Sequence, residues 1–180
     1  AYMEIIDECV RANSLSIMHV RDVPVNSDIL GSLARESEPD IKQIFVEGCD
    51  RQDELENKLY LVRKEVERRV TASSISDKKS CYFASLSTRT IVYKGMLTSL
   101  QLRHYFTDLT DRYFTSAIAL VHSRFSTNTF PTWSLAQPFR MIGHNGEINT
   151  IRGNRLWIKA RESLMRTDHL GSVTENISPV

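Results

Sequence analysis

A chain of 180 residues can bury one sizeable core, and a hydrophobic share of 41% suits a globular fold. Its 23 basic residues stand against 22 acidic ones with the signs interspersed, a formal charge of +1 that offers no field for nucleic acid or an anionic membrane. No apolar run reaches the length of a bilayer span and Ala1-Tyr2-Met3-Glu4 opens no signal-peptide pattern, so a cytoplasmic protein is expected.

Residues 2 to 12 carry a helical pattern through Ile5, Ile6, Cys9 and Val10, and Leu15 to Val20 alternate as a strand whose phase blurs after Met18. Arg21-Asp22-Val23-Pro24 turns the chain, and Asn26-Ser27-Asp28 supplies caps for a short helix through Ala34. Ser37 to Asp40 reads as a loop, and Ile41 to Val46 as a second strand that ends where Gly48 permits a turn. From Gln52 to Val70, Leu55, Leu59, Val62, Val66 and Val70 recur at helical spacing, with Glu54/Lys58 and Glu65/Arg69 as solvent-side ion pairs. Thr71 to Lys79 is small and polar, which predicts an exposed loop.

Cys81 to Leu86 and Thr90 to Tyr93 are aromatic and β-branched, so a hairpin joined by Ser87-Thr88-Arg89 and closed by Gly95 is expected. Leu97, Leu100, Leu102 and Tyr105-Phe106 predict a helix opened by Thr98-Ser99, and Asp108 to Arg112 lead towards a core strand at Ala117 to Val121. Asn149 or Thr150 would cap a last helix with Leu156, Trp157, Ala160 and Leu164 on one side. The basic residues of that helix (Arg152, Arg155, Lys159, Arg161, Arg166) have no aromatic platform beside them, which argues against a nucleic-acid stripe. Cys9, Cys49 and Cys81 lie far apart with no ligand-spaced partner, so buried thiols are expected rather than disulfides or a metal site.

Chemistry concentrates between His122 and Arg155. The apolar run feeds into His122 and Arg124, and polar groups placed at a strand end are well sited for chemistry. Asn145-Gly146 follows Phe139-Arg140-Met141-Ile142, and that dipeptide tolerates the positive φ of a tight turn. Two readings stay open: an ordinary hairpin turn, or a turn whose backbone N–H and Asn amide converge as an oxyanion hole. Arg124 is similarly open between a surface ion pair and an anion ligand. His122 or His144 with Ser123 or Ser126 would be a third arrangement, a Ser–His hydrolase, but no GxSxG or HExxH pattern accompanies them.

HSRFSTNT, PTWSLAQPFR and HNGEINTIRGNR, in this order, resemble the glutaminase domain of glutamate synthase, a member of the class II (N-terminal-nucleophile, or Ntn) glutamine amidotransferases. RDVPVNSDILG and IKQIFVEG resemble it more weakly upstream. The resemblance implies an α+β, Ntn-hydrolase-like four-layer sandwich, two stacked and mainly antiparallel sheets flanked by helices, incomplete here. It implies that Asn145 and Gly146 form the oxyanion hole, that Arg124 holds the glutamine α-carboxylate, and that Phe125 and Thr127 line the pocket. Phe125 stands where several related amidotransferases carry tryptophan.

The family nucleophile is a cysteine at the mature N-terminus, and none of the three cysteines here matches its motif. The downstream acid that binds the substrate ammonium in the family has no counterpart here: Asp168 and Glu175 lie in the right direction but outside a matching motif. Residues 1–180 are therefore expected to be part of a single amidotransferase domain lacking the N-terminal nucleophile segment and the C-terminal part, and inactive alone. The parent would hydrolyse glutamine to glutamate and ammonia and pass the ammonia to 2-oxoglutarate in a synthase domain of the same chain. FMN, an iron–sulfur cluster and a small electron-donating subunit are implied for that parent, and no cofactor or metal for this piece. Another class II amidotransferase with a different acceptor, or a non-catalytic module of the same fold, are the alternatives.

Overall fold

The computed structural model describes residues 1–76, 81–125, 129–139, 151–162 and 164. Helix α1 (Tyr2–Ala12) turns Ile6, Cys9 and Val10 inward, and helix α3 (Gln52–Ala72) turns Leu59, Val62, Val66 and Val70 to meet them. The helical spacing of these residues makes one apolar stripe on each helix, and burying the two stripes together removes them from water. Asn13 closes α1 by donating from Nδ2 to the Cys9 carbonyl at 2.9 Å. The Glu54–Lys58 and Glu65–Arg69 pairs form on α3 as its sequence predicts.

Strand β1 (Ser16–Asp22) pairs antiparallel with β2 (Lys42–Glu47), from Ser16 opposite Glu47 to Asp22 opposite Lys42. The register shifts between Ile17 and His19, so Met18 is the extra residue of a bulge and stands 61% exposed. That bulge is the physical origin of the lost alternation after Met18. Ile17, Ile44 and Val46 pack onto the α1/α3 cluster. Gly48, at φ +117°, ends β2 against the backbone of Ser14 and Leu15, where a Cβ would meet Ser14 O at 3.1 Å.

A second cluster forms from Leu30, Ala34, Tyr105, Phe106 and Trp133. The single short helix expected after Asn26 is two pieces, a 3₁₀ turn at Ser27–Ile29 capped by Asn26 and a helix α2 (Ser32–Glu36). Helix α4 (Ser99–Tyr105) starts at Thr98 with a capping box: Thr98 Oγ1 accepts from Gln101 N, and Thr98 N donates to Gln101 Oε1 at 3.0 Å. Leu100 of this helix is 82% exposed, against expectation. A 3₁₀ turn at Thr107–Thr110 brings Asp108 under Arg21 of β1, which donates to its two oxygens at 3.1 and 2.5 Å, while Tyr93 OH donates to Asp108 at 2.8 Å. This bidentate pair joins the sheet to the second cluster.

Three expected strands are corrected. Residues 81–86 and 90–93 share no ladder; Val92 N–H is taken instead by Ser85 Oγ at 3.1 Å. Cys81, Phe83 and Leu86 pack against the first cluster while Tyr82 and Tyr93 pack against the second, so burial on two sides, not strand pairing, accounts for the aromatic and β-branched pattern. The connecting Ser87 and Thr88 are held by Glu56, which accepts from Ser87 Oγ, Thr88 N and Thr88 Oγ1. Residues 117–121 are likewise not a core strand: Ile118 is 84% and Val121 72% exposed, with no strand beside them among the described residues. Ser116 Oγ donates to Ile118 O at 2.7 Å, a local bond where a ladder was expected.

The last helix, α5 (Ile151–Glu162), forms where expected but buries no residue, and Trp157 is 77% exposed. Its expected caps, Asn149 and Thr150, lie outside the described residues, as do residues 77–79 of the polar loop. The described residues thus hold helices and one two-stranded antiparallel sheet. Among them no helix is long and apolar enough to cross a membrane.

Candidate functional site

Of residues 122–125 and 129–139, Trp133 is a member of the second cluster. Arg124 N–H donates to His122 Nδ1 at 3.2 Å, a local turn that engages the imidazole in shaping the backbone ahead of Phe125. Ser123 and Phe125 border a groove of about 640 Å³ whose other wall includes Ser32 and Leu33 of α2 and Met96, Thr98 and Ser99 at the start of α4. A groove of this size can admit an amino-acid-sized ligand. Its polar wall is partly committed: Gln101 Nε2 donates to Ile29 O at 2.6 Å, and Thr98 Oγ1 serves the capping box.

The stretch after Phe130 is anchored by three groups to which the sequence pattern assigned no part in the site. Trp133, 4% exposed, occupies a 3₁₀ turn (Trp133–Leu135), packs on Tyr105 at 5.4 Å between centroids, and donates from Nε1 to Ala34 O at 3.0 Å. Gly95 lies directly under its ring, where any Cβ would collide with Cζ3 at 2.4 Å. Lys94, buried to 8% exposure, donates from Nζ to Ser134 O at 2.8 Å and sits 4.9 Å from the Phe139 ring and 5.3 Å from that of Tyr82. Burial lowers the affinity of this amine for its proton. The signal for Lys94 was visible as a lone charge closing the run Thr90-Ile91-Val92-Tyr93, and the signal for Trp133 as a large aromatic amid loop residues. Beside them Gln137 Oε1 is buried with no hydrogen-bond partner among the described residues, and the Gln137–Pro138 peptide is cis.

Of the five residues singled out for chemistry, the structure describes Arg124, exposed, and Phe125, half-buried on the groove. Thr127, Asn145 and Gly146 lie outside the described residues, as does His144. Cys9 is fully buried between α1 and α3, and burial pushes its thiol up to about 11. Such a thiol is almost wholly protonated near neutral pH and is no nucleophile. Among the described residues no three His, Cys, Asp or Glu side chains gather as a metal site.

The family model for class II glutamine amidotransferases matches residues 1–180. The chain belongs to this family. It is 46% identical over 164 residues to the NADPH glutamate synthase large chain of Azospirillum brasilense, covering 89% of this chain and 10% of that one. It is 44% identical over 178 residues to the corresponding Bacillus subtilis large chain (97% and 11%), and 46% identical over 155 residues to the chloroplastic ferredoxin-dependent glutamate synthase of Oryza sativa subsp. japonica (85% and 10%). The chain spans about a tenth of the length of these curated relatives. In this class II amidotransferase chain, the anchored loop of residues 129–139 joins the Arg124-Phe125 turn to the stretch that holds Asn145 and Gly146.

Proposed function

We propose that this chain forms one wall of the glutamine site in the glutaminase domain of a glutamate synthase, residues 1–180 being part of a four-layer Ntn-hydrolase sandwich. The match of the whole chain to the amidotransferase family, with glutamate synthases 41–46% identical to it, carries this reading. Arg124 binds the substrate α-carboxylate, for which its planar fork of donors is suited, and Phe125 and Thr127 flank the substrate stem. A cysteine outside these 180 residues attacks the side-chain amide carbon. Asn145 Nδ2–H and Gly146 N–H hold the resulting oxyanion, and its collapse expels the nitrogen as ammonia and leaves a thioester. Water then hydrolyses the thioester to glutamate and returns the thiol.

A free α-amine has a pKa of about 7.7–8, so a terminal cysteine brings its own base, which no internal cysteine can do. Buried Cys9 fits no part of this chemistry. In the full-length protein the ammonia goes to 2-oxoglutarate in a synthase domain that uses FMN and an iron–sulfur cluster, supplied with electrons by a small subunit. We assign no residue of this chain to either cofactor.

The test is ammonia release from glutamine by the full-length protein carrying this chain, with and without Arg124→Ala. Loss of a charge-assisted pair of hydrogen bonds is worth about 1.5–3 kcal/mol, so KM for glutamine should rise by about 10- to 100-fold. A well-folded full-length protein that releases no ammonia would refute the proposal, and this chain alone should release none.

A further inference from the structure

An arginine that binds a carboxylate has to present its planar fork at a set angle, and several rotatable bonds separate that fork from the backbone. The backbone that carries the side chain therefore sets its aim first. Here the Arg124 N–H donates to Nδ1 of His122 at 3.2 Å, a bond from one residue back to the side chain two positions earlier. An Asn or Asp side chain closes the same kind of turn on the N–H two residues on. To accept at Nδ1 the imidazole is neutral and carries its proton on Nε2.

Alternate residues of this run have different neighbours. Ser123 and Phe125 border the groove shared with α2 and the start of α4, and neither His122 nor Arg124 does. His122 is half-buried while Arg124 is exposed, so the imidazole is the more firmly seated partner and the arginine backbone is what it holds. We propose that His122 is a positioning residue for glutamine binding: by accepting the Arg124 N–H it fixes the backbone from which the Arg124 guanidinium reaches the substrate α-carboxylate. This rests on the glutaminase reading above, in which Arg124 binds that carboxylate. The α-carboxylate is remote from the amide under attack and is held alike in the ground state and the transition state. Loss of the turn therefore weakens both equally and shows in KM, not in kcat.

The experiment measures kcat and KM for ammonia release from glutamine by the full-length protein and its His122→Phe, His122→Ala and His122→Asn variants, each with Arg124 intact and with Arg124→Ala, and a melting curve for each. His122→Phe keeps a ring but no acceptor and should raise KM by about 3- to 10-fold with kcat within about twofold. His122→Asn can accept the same N–H at Oδ1 and should keep KM within about twofold of wild type. In the Arg124→Ala background no guanidinium is left to aim, so His122→Phe should change KM by less than about twofold. The proposal is overturned if KM of a folded His122→Phe protein stays within about twofold of wild type, if His122→Asn does no better than His122→Phe, or if kcat falls as much as KM rises. An equal rise in KM on His122→Phe with and without Arg124→Ala overturns it too, since a merely structural imidazole would behave so. If His122→Phe does not fold, His122→Ala is read by the same criteria, and failure of both to fold makes the imidazole part of the packing and overturns the proposal. The glutaminase reading fails differently: a wild-type protein that releases no ammonia, or an Arg124→Ala protein with unchanged KM, removes the proposed function itself.

Discussion

Gly95→Ala tests how tightly the site loop is seated. A Cβ at this position would lie 2.4 Å from Trp133 Cζ3 and 2.8 Å from Cε3. Non-bonded carbons rest about 3.5–4.0 Å apart, so the indole has to retreat by about 1 Å. It cannot do so freely. The ring is 4% exposed, lies on Tyr105, and is tethered through Nε1 to Ala34 O at 3.0 Å. Retreat stretches that bond and leaves a buried donor unsatisfied, about 1–3 kcal/mol, whereas staying overpacks the cluster for about 1–3 kcal/mol. The two costs are alternatives in part, so a net loss of about 2–4 kcal/mol is expected. Urea unfolding is the assay, followed by Trp133 emission in a Trp157→Phe background, since Trp157 is 77% exposed and would add a signal insensitive to folding. With m of about 2 kcal/mol per molar, the midpoint should fall by about 1–2 M. Gly31→Ala is the control: a Cβ there meets nothing within 4 Å, and its midpoint should hardly move. Equal midpoints for Gly95→Ala and wild type would refute the seating of Trp133 on Gly95.

Asp108→Asn should cost about 2–3 kcal/mol in thermal or urea unfolding, because Asp108 accepts from both Arg21 nitrogens and from Tyr93 OH. The Arg21 hydrogen bonds hold the Asp108 carboxyl below its ordinary range, so its stabilisation is fully present above the unfolded value of about 3.9 and is lost as pH falls through the lower folded value. The gap in melting temperature between wild type and Asp108→Asn should accordingly narrow below pH 4, and a constant gap would refute the assignment. In thiol labelling read by peptide mass, Cys9, wholly buried and raised to about 11, should react only on unfolding, after the half-buried Cys49 and Cys81. Labelling of Cys9 as fast as Cys49 would contradict its packing. Ile118, Leu120 and Val121 are 84%, 60% and 72% exposed, so light scattering should show concentration-dependent association of the 180-residue chain that Ile118→Lys reduces. A monomer at high concentration would refute this.

The first half of the chain was legible because each of its elements buries one face against near neighbours. Leu59, Val62, Val66 and Val70 occupy the positions that helical spacing assigns them, and even the Met18 bulge showed as a break in alternation. The pattern failed where a segment serves two surfaces at once. In residues 81–93, Phe83 faces the first cluster and Tyr82 and Tyr93 the second, and alternation cannot distinguish that from a strand with a ladder. Residues 117–121 are apolar enough for a core strand, but a strand also needs a partner, which no local pattern supplies. Trp133 and Lys94 escaped for a related reason: a residue in an irregular loop has no period, and its burial depends on Ala34, Gly95 and Tyr82, which are far away in sequence.

The site residues were named through residue identity and motif order, not through geometry, and the structure adds what motifs cannot carry: the means by which the segment is held. Each anchor of the 129–139 loop comes from the second cluster or its flank, through the Ala34 carbonyl, the bare Cα of Gly95 and the Lys94 ammonium. The α1/α3 cluster is linked to these groups by two routes, the sheet with Arg21, Asp108 and Tyr93, and residues 81–83, where Cys81 and Phe83 pack on that cluster and Tyr82 lies near Lys94. Tyr93 is central to the first of them. Its hydroxyl donates to Asp108, its ring meets Phe106 edge-on at 4.9 Å between centroids, and its backbone leads directly into Lys94 and Gly95. A short run from Tyr93 to Gly95 therefore joins a packing contact, an ion-pair network and both loop anchors. Side chains this near in sequence cannot be repositioned independently, so a change to one of them should be read for its effect on the others before a role in binding is inferred.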